Sequence, residues 1–259
     1  MNYKKYLDIA IKASEVSSYT LKSFFKKFNK IKLKNKNFRD IVSEIDFISQ
    51  KEIVNIIKSK FPSHNIICEE KQNGLKKKSD FSWIVDPLDG TINYIHGVPI
   101  YSISIALKFK NELLIGVINN PEQKEIFYAS KGYGSFMNGE RIEVSKNNKF
   151  SSGLYIAAFP SNIKKKLMNK LKIFGKVNNN SRGMLRLGSA AHALTYLASG
   201  KIDGFWGEDL KIWDIAAGII IVEEAGGIIS DANSNKFNFK KSLVASNALV
   251  HNDFLKNLI

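Results

Sequence analysis

An apolar stretch that ends in acidic turn residues constrains the fold of this chain more than any other feature. In the segment WIVDPLDGTIN at residues 83–93, three apolar residues run directly into Asp86, and Asp89 follows three positions later. Apolar runs that end in aspartate, proline and glycine are typical of a strand leaving the core. Two carboxylates at one strand exit are costly unless a positive charge lies between them. The segment therefore predicts a strand end built around a cation.

The turn itself has the residues that such a site needs. Pro87 fixes the turn, so that the two aspartates and the carbonyl group of Leu88 can converge on one point. Gly90 allows the backbone to come close to a ligand. Thr91 then begins a short predicted helical turn, whose free N–H groups suit a phosphate.

Further acidic residues occupy similar positions elsewhere in the chain. Glu69 and Glu70 follow a short strand predicted at 66–68, and Asp214 opens a predicted helix. Functional side chains are often held where a regular element meets a turn. Oxygen ligands without nearby histidine or cysteine favour Mg²⁺ or a similar ion over zinc.

Each acidic motif also has a purely structural interpretation. The aspartates of a D-x-x-D-G turn can cap the turn itself, and the pair Glu69-Glu70 can be solvated. Asp214 can be the N-cap of its helix. Taken singly, each of these interpretations is the better one. The occurrence of all three motifs together, each beside an apolar element, favours a shared metal site.

The strongly basic charge does not by itself indicate nucleic-acid binding. The formal net charge is +15, but only four of the 39 basic residues are arginine. Nucleic-acid readers rely on the planar guanidinium group. The lysines are scattered among many asparagine and isoleucine residues. This mixture is typical of a coding bias toward A/T-rich codons and favours a solvated lysine surface over a nucleic-acid-binding face. An attraction for small anions fits either interpretation.

Composition also indicates the cellular compartment of the chain. No stretch reaches the roughly 18 consecutive apolar residues of a membrane helix. The N-terminus has no apolar block of the kind found in a secretion signal. The single cysteine, Cys68, excludes an intrachain disulfide framework. We therefore expect a cytoplasmic protein.

Hydrophobic periodicity predicts an α+β protein. Helices are predicted at 3–28, 46–60, 162–173, 189–198, 213–225 and 251–258. Strands are predicted at 66–68, 101–109, 113–119, 125–129, 154–158, 202–206, 228–230 and 242–245, with a hairpin around Asn138-Gly139. Polar loops are predicted at 29–39 and 71–80. We expect one domain over residues 1–259, with a softer division into an α+β half at 1–145 and an α/β half at 146–259.

Six segments in a fixed order carry a family likeness. They are DIVSEID at 40–46, PSHNIICEE at 62–70, WIVDPLDGTINYIHGVP at 83–99, KGYGSFMNGERIEVS at 131–145, RLGSAA at 186–191 and WDIAAGIIIVEEAGG at 213–227. With these segments the chain resembles the inositol monophosphatase family, part of a larger group that includes fructose-1,6-bisphosphatases. The resemblance covers nearly the whole chain. It implies a layered α-β-α-β-α sandwich and a Mg²⁺-dependent phosphatase.

The resemblance also implies roles for individual residues. It implies two or three Mg²⁺ ions, with Asp86 shared between two of them, and these ligands: Glu69, Asp86, the Leu88 carbonyl, Asp89 and Asp214. It implies that Asp46 and Thr91, together with Glu69, orient the attacking water. The backbone N–H groups of Gly90 and Thr91 would hold phosphate oxygens. The alcohol side would be lined by Gly188, Ser189 and Ala190.

The chain departs from the family pattern at one substrate position. Inositol-specific members have a glutamate seven residues before the last metal aspartate, and this chain has Gly207 there. Glu208 could take over as the hydroxyl acceptor, or the acceptor could be lost. Lys211 could favour a more anionic substrate, although a solvated lysine is an equal interpretation.

The resemblance implies a phosphomonoesterase that acts on myo-inositol monophosphate or a similar small alcohol phosphate. The enzyme alternative is the same chemistry on histidinol phosphate, fructose-1,6-bisphosphate or a 3′-phosphonucleotide. A non-enzymatic alternative is binding to RNA or the transcription machinery, as in some bacterial relatives. We expect a homodimer and no membrane partner, with nucleic acid the less favoured partner.

Overall fold

The computed structural model describes residues 3–26, 31–33, 41–70, 79–159, 167–239 and 242–258, and only the backbone at 31–33 and 41–43. Most of the loops predicted at 29–39 and 71–80 lies outside these ranges. So do Asp40, in the first family-like segment, and the start of the helix predicted at 162–173. Within these ranges, no helix is both long enough and apolar enough to cross a bilayer.

The described residues form seven α-helices, besides a short 3-10 helix at Phe150–Ser152. They are α1 Lys4–Phe24, α2 Glu44–Lys60, α3 Thr91–Ile95, α4 Leu167–Asn180, α5 Ala190–Ala198, α6 Ile212–Glu224 and α7 His251–Asn257. The predicted helix positions agree with these to within a few residues, except that α4 continues seven residues beyond its predicted end. The C-terminal stop of α6 is confirmed, since Gly226 has a φ of 89° just past the helix.

The strands form two main sheets and one small one. A seven-stranded sheet has the order β3-β4-β5-β6-β7-β8-β9, with β3 Asn65–Cys68, β4 Phe81–Asp89, β5 Ser102–Phe109, β6 Glu112–Asn120, β7 Glu125–Ser130, β8 Gly134–Met137 and β9 Glu140–Ile142. A five-stranded sheet has the order β11-β10-β12-β14-β13, with β10 Leu154–Ala158, β11 Gly183–Leu185, β12 Gly204–Gly207, β13 Ile228–Ser230 and β14 Leu243–Ser246. The small sheet pairs β1 Ile31–Leu33 with β2 Ile41–Ser43.

The seven-stranded sheet is apolar on both faces. In β4, Trp83 and Val85 join the core cluster beneath α1 and α2, whereas Ile84 joins the cluster that contains α5 and α6. Successive side chains of a strand point to opposite faces, so one continuous apolar run can serve two cores. The sheet is therefore covered by a helical layer on each side.

The five-stranded sheet repeats this arrangement. Phe205 of β12 packs in the cluster that contains α5 and α6, and the next residue, Trp206, packs in the opposite cluster with Val177 of α4 and Phe254 of α7. The order of layers is α1/α2, seven-stranded sheet, α5/α6, five-stranded sheet, α4/α7. This confirms the predicted α-β-α-β-α sandwich. The division at residue 145 stays a prediction.

A glycine in the seven-stranded sheet sets the distance to α6. A Cβ atom at Gly116 of β6 would lie 2.6 Å from the backbone oxygen of Ala217 and 2.6 Å from Cγ2 of Ile220. A backbone atom cannot move aside as a side chain can, so any larger residue must push α6 away from the sheet. Because α6 carries Asp214, this contact also positions one of the candidate ligands.

We expect Gly116→Ala to lower the free energy of unfolding by about 1–3 kcal/mol, the usual effect of overpacking. Gly175→Ala is the matched control, because Gly175 lies inside α4 with nothing within 4 Å of the added Cβ. The control should be neutral or stabilising by up to about 1 kcal/mol, since alanine favours helix. Urea unfolding of both variants measures the difference. Equal stability of the two would contradict this account of the β6–α6 contact.

Candidate active site

A cavity of about 170 Å³ collects most of the predicted site residues. Its lining contains all four predicted acidic ligands and their neighbours: Glu69, Asp86, Leu88, Asp89, Gly90, Thr91, Ala157, Ala158, Phe159, Arg186, Gly188, Ser189, Ala190, Leu210 and Asp214. Two predicted site residues, Asp46 and Glu208, are not part of the lining. The acidic motifs, far apart in sequence, therefore meet at one place.

An irregularity in β4 explains how two aspartates three residues apart share a cavity. In a regular strand, side chains at positions i and i+3 point to opposite faces. Here Asp86 pairs with Ser104 and Asp89 pairs with Ser102, so β4 has one residue more than β5 over this interval. Such a bulge reverses the alternation. Pro87, which lacks an N–H group, lies inside the bulge.

The bulge is held from both sides. Ser49 of α2 donates a hydrogen bond from its hydroxyl to the Pro87 carbonyl oxygen at 2.8 Å. The Leu88 N–H donates to Oδ1 of Asp86 at 3.0 Å. The strand end is therefore fixed before any ligand binds.

Asp89 is bound to the N-terminus of α5. Its Oδ2 accepts hydrogen bonds from the Ser189 hydroxyl and from the Ala191 N–H, each at 2.6 Å. Ser189 is also the N-cap of α5, since its hydroxyl oxygen accepts from the His192 N–H at 3.1 Å. A carboxylate at this position gains from the helix dipole. These bonds fix Asp89 against the segment that carries Gly188, Ser189 and Ala190.

Asp214 lies in the first turn of α6. Its Oδ2 accepts a hydrogen bond from the Lys211 N–H at 2.7 Å. The start of α6 is in turn tied to the seven-stranded sheet, because the Ser104 hydroxyl donates to the Trp213 carbonyl oxygen at 3.2 Å. The interpretation of Asp214 as the N-cap is therefore wrong, because Lys211 is the N-cap and Asp214 is the third residue of α6, from which it accepts the N-cap N–H. Asp214 also lines the acidic cavity.

The electrostatics of the cavity show the carboxylates acting on one another. Burial raises the pKa of Asp86 well above its usual value, and the charges of Glu69, Asp89 and Asp214 raise it further. Burial is also the main cause that raises the pKa of Asp89 to about 7, even though Ser189 lowers it. The pKa of Asp214 is raised to about 8 by burial and then by Asp89. Such a cluster is unfavourable until a cation neutralises it.

The donor set fits a hard divalent cation. No histidine or cysteine is among the described residues that line the cavity, and its donors are carboxylates and a backbone carbonyl. Among the described residues, no three His, Cys, Asp or Glu side chains are already arranged to hold an ion.

Thr91 connects the cavity to a buried acid. Its hydroxyl lies 3.2 Å from Oδ1 of Asp46 and 3.1 Å from the Leu88 carbonyl oxygen. One hydroxyl hydrogen is shared between these two acceptors. Asp46 lies on α2 and is 1% exposed, so it reaches the cavity through Thr91.

The cavity wall also contains two residues that the sequence analysis did not single out as site residues. The Arg186 guanidinium lies 4.1 Å from the centre of the Phe159 ring, and its Nη2 donates to the Phe159 carbonyl oxygen at 2.7 Å. Burial lowers the pKa of Arg186. Arg186 is the first residue of the family-like segment RLGSAA, so a signal was present. Phe159 had no such signal.

Glu208 is held away from the cavity by an ion pair. The Lys170 ammonium lies 2.8 Å from the Glu208 carboxylate and 2.7 Å from that of Asp209. The Lys170 side chain is only 3% exposed, so both acids are paired with a nearly buried cation. Lys211, the other substrate residue considered, is exposed at the N-cap of α6 and does not line the cavity.

The layered fold and its acidic cavity are those of a phosphatase class. The sequence profile of the Inositol monophosphatase family matches residues 2–258, and the chain belongs to this family.

Three comparisons describe its relatives. A Thermotoga maritima protein named fructose-1,6-bisphosphatase/inositol-1-monophosphatase is 38% identical over 96% of this chain and 94% of its own. Nus factor SuhB of Pseudomonas aeruginosa is 36% identical over 93% of this chain and 91% of its own. The crystal structure of extragenic suppressor protein suhB from Bartonella henselae superimposes with a TM-score of 0.93, at 31% identity and with 98% of each chain covered.

Proposed function

We propose that this chain is a Mg²⁺-dependent phosphomonoesterase that hydrolyses a small phosphorylated alcohol to the alcohol and inorganic phosphate. The observation that carries the proposal is the meeting of four acidic side chains in one cavity, one just after β3, two from β4 and one from α6. Membership of a phosphatase family and the name of the T. maritima relative support it.

The acidic floor of the cavity would hold two or three Mg²⁺ ions. Its proposed ligands are Glu69, Asp86, the Leu88 carbonyl, Asp89 and Asp214. Bound Mg²⁺ would lower the pKa of water and neutralise charge on the phosphoryl and leaving oxygens. The protein supplies the positions, since the bulge in β4 and the bonds from α5 fix two of these carboxylates.

Thr91 and Asp46 would orient the attacking water. When the Thr91 hydroxyl donates to Asp46, the Thr91 oxygen keeps lone pairs that can accept a hydrogen bond from a water in the cavity that Thr91 lines. Glu69, which lines the same cavity, is the second acceptor for that water. An oriented water needs no covalent intermediate with the protein, and positioning supplies much of the rate enhancement.

The phosphoryl group would lie against the backbone of Gly90 and Thr91. Gly90 has a φ of 94°, and a Cβ there would lie 3.0 Å from the Ile100 carbonyl oxygen. Glycine therefore gives both the turn and the close approach. Gly188, Ser189 and Ala190 would line the alcohol side. The Ser189 hydroxyl hydrogen is already used in the bond to Asp89. Ser189 would therefore contact the substrate by its shape and would not donate a hydrogen bond to it.

The test is phosphate release from a panel of esters with and without Mg²⁺. Suitable esters are myo-inositol 1-phosphate, histidinol phosphate, fructose 1,6-bisphosphate and a 3′-phosphonucleotide. We expect release that requires Mg²⁺ and stops with EDTA, with NaCl at equal ionic strength as the control. No release from any ester would contradict the proposal, and poor use of myo-inositol 1-phosphate alone would exclude only the inositol specificity.

A second candidate function is RNA binding. The P. aeruginosa relative is named as a Nus factor, and the net charge of this chain is +15. Salt-dependent RNA binding that survives Asp89→Asn would support it.

We also propose that the protein is cytoplasmic and a homodimer. Light scattering would show the dimer as twice the chain mass of 29.2 kDa.

A further inference from the structure

We propose that Arg186 makes the enzyme select phosphate esters that carry a second anionic group, with the guanidinium binding that group on the alcohol side of the cavity. This inference rests on the proposed phosphatase function and adds the substrate class and the residue that recognises it.

Arg186 is held at the cavity wall in a fixed orientation. Its guanidinium stacks on the Phe159 ring, and one of its N–H groups is used by the Phe159 carbonyl oxygen. A guanidinium has five N–H donors in a planar fork. The remaining donors can therefore meet a carboxylate or a phosphate in a bidentate manner, with little loss of side-chain freedom.

Within the described part of the chain, no carboxylate forms an ion pair with Arg186. The contrast with Lys170 is clear, because that cation is nearly buried between Glu208 and Asp209. Glu208 and Asp209 are therefore neutralised by Lys170 and not by Arg186. The charge of Arg186 is left for a ligand.

The same wall offers little to a neutral polyol. A Cβ at Gly207 would lie 2.5 Å from Cδ1 of Leu210, so an apolar side chain fills the space beside this position. Leu210 itself lines the cavity. Glu208, the other possible acceptor for hydroxyl groups, pairs with Lys170. The side-chain groups of this wall are therefore an aliphatic residue, an aromatic residue and a cationic donor.

Charge balance points to the same class of ligand. The acidic floor is where the divalent cations and the reacting phosphoryl group would bind. A second anion cannot approach that floor without competing for the ions, whereas Arg186 provides a separate positive group in the same cavity. A substrate with two anionic groups can thus bind the divalent cations with one group and Arg186 with the other.

The experiment compares two esters that differ by one phosphate, fructose 1-phosphate and fructose 1,6-bisphosphate. Initial rates of phosphate release with Mg²⁺, at constant ionic strength, give kcat/KM for each. We expect the wild type to prefer the bisphosphate, and Arg186→Gln to lower the bisphosphate-to-monophosphate ratio about ten-fold or more, mainly through KM for the bisphosphate. Arg186→Lys should keep part of the preference, because it keeps the charge but not the fork.

Arg182→Gln is the matched control, since it removes the same charge from an exposed arginine that does not line the cavity. It should leave the ratio unchanged. A wild type without preference for the bisphosphate overturns the inference, whatever the variants do. An equal loss for both esters in Arg186→Gln also overturns it, because that result assigns Arg186 a structural role on Phe159. No release from either fructose ester also overturns the inference if the wild type hydrolyses myo-inositol 1-phosphate, whereas no release from any ester of the panel contradicts the phosphatase function itself.

Discussion

Replacing Asp86 with asparagine should abolish phosphate release and yet stabilise the metal-free protein at neutral pH. Asp86 is 1% exposed, and three other carboxylates act on it. If Asp86 is the shared metal ligand that we propose, its loss removes several kcal/mol of transition-state stabilisation, so kcat should fall about a thousand-fold or more. Without metal at neutral pH, folding must either bury this charge beside three other carboxylates or bind a proton there, and asparagine removes that cost.

Two measurements check this opposite pair of effects. Phosphate release with Mg²⁺ gives the loss of activity, and urea unfolding in EDTA gives the change in stability. The asparagine Oδ1 can still accept the hydrogen bond from the Leu88 N–H, so the turn keeps its local support.

The control is a buried aspartate with the opposite environment. Asp203 is 7% exposed and accepts hydrogen bonds from the Ser145 hydroxyl, the Leu154 N–H and the Asn247 amide. Asp203→Asn should therefore lower the free energy of unfolding by about 1–3 kcal/mol, since it breaks a satisfied network. If Asp86→Asn destabilises the metal-free protein as much as Asp203→Asn does, the repulsive cluster is disproved.

The second large effect is a stability that depends on pH and Mg²⁺ together. The folded-state pKa is about 7 for Asp89 and about 8 for Asp214, both above the ordinary aspartate value of 3.8. Between pH 3.8 and about 8, the folded protein therefore binds more protons at these two carboxyl groups than the unfolded chain does. Its stability without metal is therefore highest near pH 4 with respect to these groups, and is lost as pH rises through about 8.

Mg²⁺ should reverse this loss, because the ion replaces the protons on the same carboxylates. At a concentration of about 100 Kd, a ligand that binds only the folded state stabilises it by about 2.7 kcal/mol. For a chain of this length, that corresponds to a rise in Tm of about 5–10 °C. We expect this rise at pH 8 and a much smaller one at pH 5. An equal shift at both pH values, or the same shift from NaCl at equal ionic strength, would contradict the prediction.

The acidic residues of the cavity could be singled out from the sequence because each has a local signature. An apolar strand that ends in acids and a helix that begins with one are patterns within ten residues. The hairpin at Asn138-Gly139 was predictable for the same reason, since its type requires positive φ at both residues, and the values are 51° and 92°. Local chemistry decides such features, and tertiary packing only accommodates them.

The bulge in β4 shows what periodicity misses. A strict alternation would place Asp86 and Asp89 on opposite faces, so the ligands could be named without knowing how they meet. Pro87 hints at an irregularity, but the register shift is defined by the pairing with β5, a strand more than ten residues away. Register is a property of two strands and not of one.

The alcohol side of the cavity was the least predictable part. The partner of Glu208 is Lys170, 38 positions earlier in the chain, on a helix predicted with different limits. An ion pair of this kind depends on the placement of α4 against β12, which no local pattern encodes. Arg186 stood in a recognisable motif, yet its availability depends on which carboxylates are already neutralised.

The distribution of the acidic ligands along the chain has a consequence for biosynthesis. Glu69 and Asp86 are made before Asp89, and Asp89 leaves the ribosome 125 residues before Asp214 does, an interval of roughly 6–25 s at ordinary translation rates. During that interval the nascent protein has the strand end but not the helix that completes the cage. A cation bound by all four proposed ligands would therefore act late, and it would link the first-made and last-made parts of the polypeptide.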